Sequence, residues 1–343
     1  MKLNYKHGII LIVIFFVGVF VVNLFVKNNS SFLLDRIPVT KEIKKFMDEK
    51  IINYGAAPEL KGITAWHNSE PLTLKELKGK VVLIDFWTYS CINCIRNIPA
   101  VVDWYDKYKD DGLVVIGVHA PEFDFEKREK NVADSIKRFK INYPVAQDND
   151  FATWLAYENH YWPAKYLVDR QGNIVYKKFG EGDYEVTEKA IQAALGIDNG
   201  LSDIEYNVGD VRSPEMYLGS KRIDNLNSNQ KVSSATKLYE LPSDLKRNEF
   251  ALDGKWSFDG ESASLDEGSG KLKLKFFAGK VHLVMESEEP VTIKVVVDGS
   301  IEKEITVQGA DLYTLFDSND YREHEILIEI PEVGIRMFAF TFG

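Results

Sequence analysis

The two cysteines of this chain, Cys91 and Cys94, stand three positions apart where an apolar run gives way to a helical pattern. Val81, Val82, Leu83 and Ile84 form a β-branched, wholly apolar stretch of the kind that makes a buried strand. After the cysteines, Ile95, Ile98, Val101, Val102 and Tyr105 recur at helical spacing. The pair therefore sits at a strand-to-helix turn. The opening turn of a helix carries unpaired N–H groups and a positive dipole end, and both favour an anion. A thiol placed there ionises more readily, and the thiolate is the reactive form. That makes Cys91 the nucleophile and Cys94, one turn on, the more buried resolving thiol.

Length and composition set limits around this site. The chain has 343 residues, more than one ordinary core accommodates, so two domains plus extra segments are expected. An apolar fraction of 45% and a charged fraction of 27% are those of a folded chain. A net charge of -10 argues against a nucleic acid as partner. Two cysteines this close cannot staple a large loop. Structural zinc requires four ligands, and no second C-x-x-C or paired-histidine motif accompanies the first. No metal and no cofactor is expected.

Residues 8–26 are almost wholly apolar, interrupted only by Asn23. At about 1.5 Å per residue such a helix roughly matches a hydrocarbon core of about 30 Å. Lys2 and Lys6 precede it, and no small-x-small cleavage site follows. The expectation is an uncleaved single-pass anchor over 1–27, with the remainder on the extracytoplasmic side. Residues 28–57 read as a tether containing a short amphipathic helix near 41–54. From 58 to 196 strand and helix patterns alternate, the sign of an α/β domain with a partly parallel sheet. Strands are expected at 81–86, 113–118, 143–146, 165–168 and 174–178, and helices at 92–108, 126–140, 150–157 and 184–195. Residues 197–234 are polar and read as a linker. From 235 to 343 short runs alternate with period two, for example Leu272, Leu274 and Phe276 between lysines. These predict an all-β, jelly-roll-like sandwich, similar to carbohydrate-binding modules.

The stretch DFWTYSCINC at 85–94, followed by Pro99, resembles the thioredoxin-like proteins of the TlpA and DipZ type. GVHAPEF at 117–123, YPVAQDND at 143–150, YWPAKYLVD at 161–169 and FGEGDY at 179–184 carry the same resemblance. The chain end FAFTFG looks like the end of the β-domain that follows thioredoxin in DipZ proteins. The similarity covers about 58 to 343. It departs from DipZ in one respect: a single apolar segment stands where DipZ carries a multi-helix electron-transport domain.

The resemblance implies roles for individual residues. Asp85 matches the buried carboxylate behind the disulfide in thioredoxins; a desolvated Asp exchanges protons near neutral pH, here with Cys94. The alternative for Asp85 is a plain ion pair with a lysine. Pro163 matches the cis-proline that faces the C-x-x-C, with the Trp162 backbone offered to a substrate peptide as an added strand. Pro99 matches a kink in the helix. Trp87 and Tyr89 are expected to shape the surface around Cys91 or, as the alternative, to be plain core residues, and Glu122 and His119 to approach from the loop after the second strand. Ser90 precedes the first cysteine and Ile92-Asn93 lie between the two; this pair does not fix the redox potential or the direction of electron flow.

The expected activity is that of an extracytoplasmic thiol–disulfide oxidoreductase acting as a reductase of disulfide-containing proteins. A CcdA/DipZ-like membrane protein is the expected electron donor. A thiol peroxidase is the second possibility, since Thr88 stands three residues before Cys91, although Ile84 replaces the proline usual there. A third is a binding module, the β-domain, with a redox appendage. Trp256, Phe258, Phe276 and Phe277 follow strand periodicity, as core residues do.

Overall fold

Strand β2 (Val81–Trp87) is buried along its whole length, because elements cover both of its faces. In the computed structural model, which describes residues 50–204 and 209–343, it lies near the middle of a six-stranded sheet of order β1-β4-β3-β2-β5-β6. The other strands are β1 (Ala65–His67), β3 (Leu113–His119), β4 (Val145–Gln147), β5 (Ala164–Val168) and β6 (Ile174–Phe179). β2, β3 and β4 are parallel. β1 and β5 join them antiparallel, and β6 pairs antiparallel with β5. Side chains alternate across β2: Val81, Leu83 and Trp87 face one core, and Val82, Ile84 and Phe86 the other.

Helix α1 (Ile92–Tyr108) lies on the first face with α2 (Glu129–Arg138) and α4 (Tyr184–Leu195). The short α3 (Ala152–Ala156) covers the second face, together with the segment that precedes β1. α1 contains Pro99 in its interior. A 3₁₀ helix (Asp124–Lys127) separates β3 from α2, so the second helix starts later than its sequence pattern suggests.

The remaining strands form a second sheet: β7 (Met216–Tyr217), β8 (Lys237–Tyr239), β9 (Glu249–Phe258), β10 (Ala263–Val297), β11 (Ile301–Ile330) and β12 (Arg336–Phe342). Leu272, Leu274 and Phe276 point inward. Lys271 and Lys273 point outward and pair with Glu329 and Glu325. β10 and β11 are long because each bends at register shifts. The last residues of β10 pair with the start of β11 on one side and with its end on the other. This β-rich unit reaches further back than its alternating pattern indicates. β7 pairs with β12, and Met216 and Leu218 are buried in its core, so part of the expected linker 197–234 belongs to it. Two residues are too few to show a period, which is why the strand escaped the sequence reading.

The two units share a packed joint. Phe338 of β12 sets its ring against Phe123 at 5.2 Å and Phe125 at 4.8 Å. Burying one such ring is worth about 2–3 kcal/mol. Ion pairs surround it: Arg128–Glu286 at 2.6 Å, Arg222–Glu122 at 2.7 Å, and Arg138–Asp311. Among the described residues no helix is long and apolar enough to cross a membrane. The expected anchor over 1–27 and most of the tether 28–57 lie outside the described residues.

Candidate active site

α1 begins at Ile92, so Cys91 is its N-cap, with its carbonyl already accepting the N–H of Ile95 at 3.0 Å. Cys91 keeps 6% exposure and Cys94 none. Both are free thiols. Burial, the hydrogen bond to Cys91 and the nearby Asp85 push the Cys94 thiol well above its ordinary pKa, while the Thr88 backbone opposes them. The buried thiol thus holds its proton and needs a base to surrender it.

Asp85 is on the face of β2 that α1 covers, directly opposite Lys165 in the β2–β5 register. Both side chains are fully buried, with Lys165 Nζ 3.7 Å from Asp85 Oδ1. Asn97 Nδ2 donates to the same oxygen at 3.5 Å. Burial raises the Asp85 carboxyl to about 6, and Lys165 and Asn97 limit the rise. Burial lowers Lys165, and Asp85 opposes it. Asp85 Oδ2 has no hydrogen-bond partner among the described residues. An acceptor of this kind, titrating near neutrality beside a buried thiol, is able to take up or return one proton. The ion pair was one of the two alternatives at the sequence level, and the structure places Lys165 against Asp85.

The bond Trp162–Pro163 is cis. Trp162 donates its indole N–H to Ala120 O at 3.0 Å, tying the loop before β5 to the loop after β3. Trp87 and Tyr89 are buried, at 0% and 1% exposure, and do not shape the surface around Cys91. Trp87 fills the space over Gly117, where a Cβ would come within 3.0 Å of its indole nitrogen. Tyr89 stacks on His119, whose Nε2 lies 3.3 Å from Thr88 Oγ1. Burial and then His67 lower His119 to about 3, so it is neutral at pH 7. Glu122 faces the β-rich unit: its Oε1 accepts from Tyr217 at 2.8 Å and Arg222 at 2.7 Å. Its charge is committed to the joint between the units.

Three residues around the thiols escaped the sequence reading. Lys165 was marked only by being a lysine inside an apolar strand two residues after Pro163. Asn97 sits one turn beyond Cys94 and looks like any polar helix residue. Glu126 follows an irregular loop and carried no periodic signal. It is fully buried, and its Oε1 accepts the hydroxyl of Ser90 at 2.6 Å. Burial raises the Glu126 carboxyl to about 7, against the pull of Ser90 and Thr88.

Residues 55–177 match the AhpC/TSA family, and residues 213–343 match the family described as thioredoxin like C-terminal domain. Protein DipZ of Mycobacterium bovis is 40% identical over 301 residues, 84% of this chain and 43% of that protein. This chain therefore spans less than half of DipZ. Thiol-disulfide oxidoreductase YkuV of Bacillus subtilis is 34% identical over 139 residues, 40% of this chain and 93% of YkuV. Thiol-disulfide oxidoreductase ResA of Bacillus cereus is 31% identical over 121 residues, 35% of this chain and 67% of ResA.

Proposed function

This chain belongs to the thioredoxin-like thiol–disulfide oxidoreductases, and from that premise we propose that it reduces protein disulfides on the outer side of a membrane. The observation that carries this reading is the C-x-x-C pair at the mouth of α1, backed by the buried Asp85. The Cys91 thiolate attacks one sulfur of a substrate disulfide; the other substrate sulfur leaves as a thiolate and takes a proton. Cys94 then passes its proton to Asp85 and attacks Cys91 Sγ, which releases the second substrate thiol and closes the Cys91–Cys94 disulfide. Two electrons pass from the dithiol to the substrate. A membrane dithiol donor of the CcdA/DipZ kind restores the reduced pair.

The substrate peptide lies along the backbone at Trp162 and Pro163, as an added strand beside Cys91. We assign 58–196 to the redox unit and read the β-rich unit as jelly-roll-like, holding substrates or partners over the thiols. The apolar run at 8–26 anchors the chain in the membrane, with all that follows on the extracytoplasmic side.

Trapping tests the proposal. In intact cells the variant Cys94→Ser accumulates mixed disulfides that reductant dissolves, and Cys91→Ser accumulates none. Disulfide reduction that survives Cys91→Ser refutes the reading. The AhpC/TSA match and Thr88 also fit a thiol peroxidase, with the same cysteine attacking a peroxide. Peroxide consumption as fast as disulfide reduction would favour that second reading.

A further inference from the structure

Under the turn that presents Cys91 lies a second buried carboxylate that the exchange chemistry does not use. Glu126 Oε1 accepts the hydroxyl of Ser90 at 2.6 Å and its backbone N–H at 3.3 Å. Oε2 accepts the backbone N–H groups of Glu122 at 2.5 Å and Phe123 at 3.1 Å. Ser90 is the residue immediately before the nucleophile and is itself buried. A carboxyl group this deep is costly unless it is hydrogen-bonded. Both of its oxygens face donors, and those on Oε2 are backbone groups that cannot turn away. An amide in its place would set an NH2 group against donors on one side, whichever way it is flipped.

The loop that carries Glu126 is held in turn by the β-rich unit. Phe123 and Phe125 lie against Phe338. Arg222 and Tyr217 hold Glu122, and Glu261 Oε2 accepts the N–H of Asp124 at 3.0 Å. One continuous chain of contacts therefore runs from the β-rich unit, through residues 122–126, to the turn at Ser90.

We propose that Glu126 is a positioning residue for Cys91: it clamps Ser90, and so fixes the nucleophile's turn to the docked β-rich unit. This rests on Cys91 being the attacking thiol. The clamp works through hydrogen bonds. The other charged or titratable groups at its sides are engaged elsewhere. Glu122 is turned to Arg222 and Tyr217. Arg128 is paired with Glu286. Tyr89 is a neutral phenol that burial, then Glu126, push further upward.

The test uses the reduced full-length chain and a chromogenic aromatic disulfide. The first burst of released aromatic thiol measures attack by Cys91 from pH 5 to 10. Glu126→Gln is expected to lower the plateau rate about tenfold, the equivalent of losing one hydrogen bond to a charged group. Ser90→Ala reproduces the plateau loss, and the double variant loses no more than the worse single one. Glu126→Asp, which keeps both acceptor oxygens, recovers part of the plateau, whereas a merely structural lesion would not be rescued. A Glu126→Gln protein with the original plateau overturns the proposal, as does one that merely melts lower. Should Glu126→Gln fail to fold, Ser90→Ala decides alone, and an unchanged plateau overturns it. A first burst that persists in Cys91→Ser instead overturns the assignment of the nucleophile.

Discussion

Replacing Lys165 with methionine isolates the electrostatics behind the thiols, because the two side chains are similar in length and the site is fully buried. The Lys165 ammonium lies 3.7 Å from Asp85. At that distance, with an effective dielectric constant of about 20, a pair of unit charges is worth about 4 kcal/mol, which corresponds to about 3 in pKa. Losing the cation takes Asp85 from about 6 to roughly 9. The sign for stability follows from the direction. The stability this raised carboxyl contributes is fully present below its unfolded value of 3.8 and is lost as pH rises through about 6. The loss amounts to about 3 kcal/mol at pH 7. In the variant the loss continues up to about pH 9, and at pH 7, where the group is still neutral, it amounts to about 4 kcal/mol. At pH 7 the variant's loss exceeds the original's by about 1 kcal/mol, whereas the carboxylate proposed as the base for Cys94 disappears. The aromatic disulfide reports this directly, since its second release of thiol is the attack of Cys94 on the mixed disulfide at Cys91. The midpoint of that second phase is expected to rise by about 3 pH units. The rate at pH 7 falls by several-fold to about 100-fold, with the greater basicity of the rarer anion recovering part of it. A midpoint that stays within half a pH unit of the original refutes the reasoning.

Two further variants examine the joint between the units. Phe338→Ala leaves a cavity against Phe123 and Phe125 and is expected to cost about 3–5 kcal/mol in urea unfolding; a loss under about 1 kcal/mol would contradict the packing. Glu122→Gln weakens a pair whose arginine side chain is 39% exposed and is expected to cost less than about 1 kcal/mol. KM for disulfide substrates should not change, and a rise of several-fold would return Glu122 to the substrate site.

The sequence determined the oxidoreductase family and the local structure around the cysteines. Val81–Trp87 could only be a buried strand, and the helix after it could only start near the cysteines, because local periodicity and end effects fix both. The alternation of strands and helices then dictated an α/β unit, and the period-two runs beyond residue 235 a β-rich one. Tertiary structure alone decided what stands behind the thiols. Asp85 meets Lys165 through the register of two strands 80 positions apart in sequence, and no local pattern encodes that distance. Glu126 is a buried partner of Ser90 in a loop on which the β-rich unit packs, a contact no local pattern encodes. The same packing engages Glu122 with Arg222 and Tyr217, and the β2 alternation takes Trp87 into the core. Propensity and periodicity act over a few residues, while burial, and with it the protonation of a carboxyl group, is set by whatever the rest of the chain places on top of it.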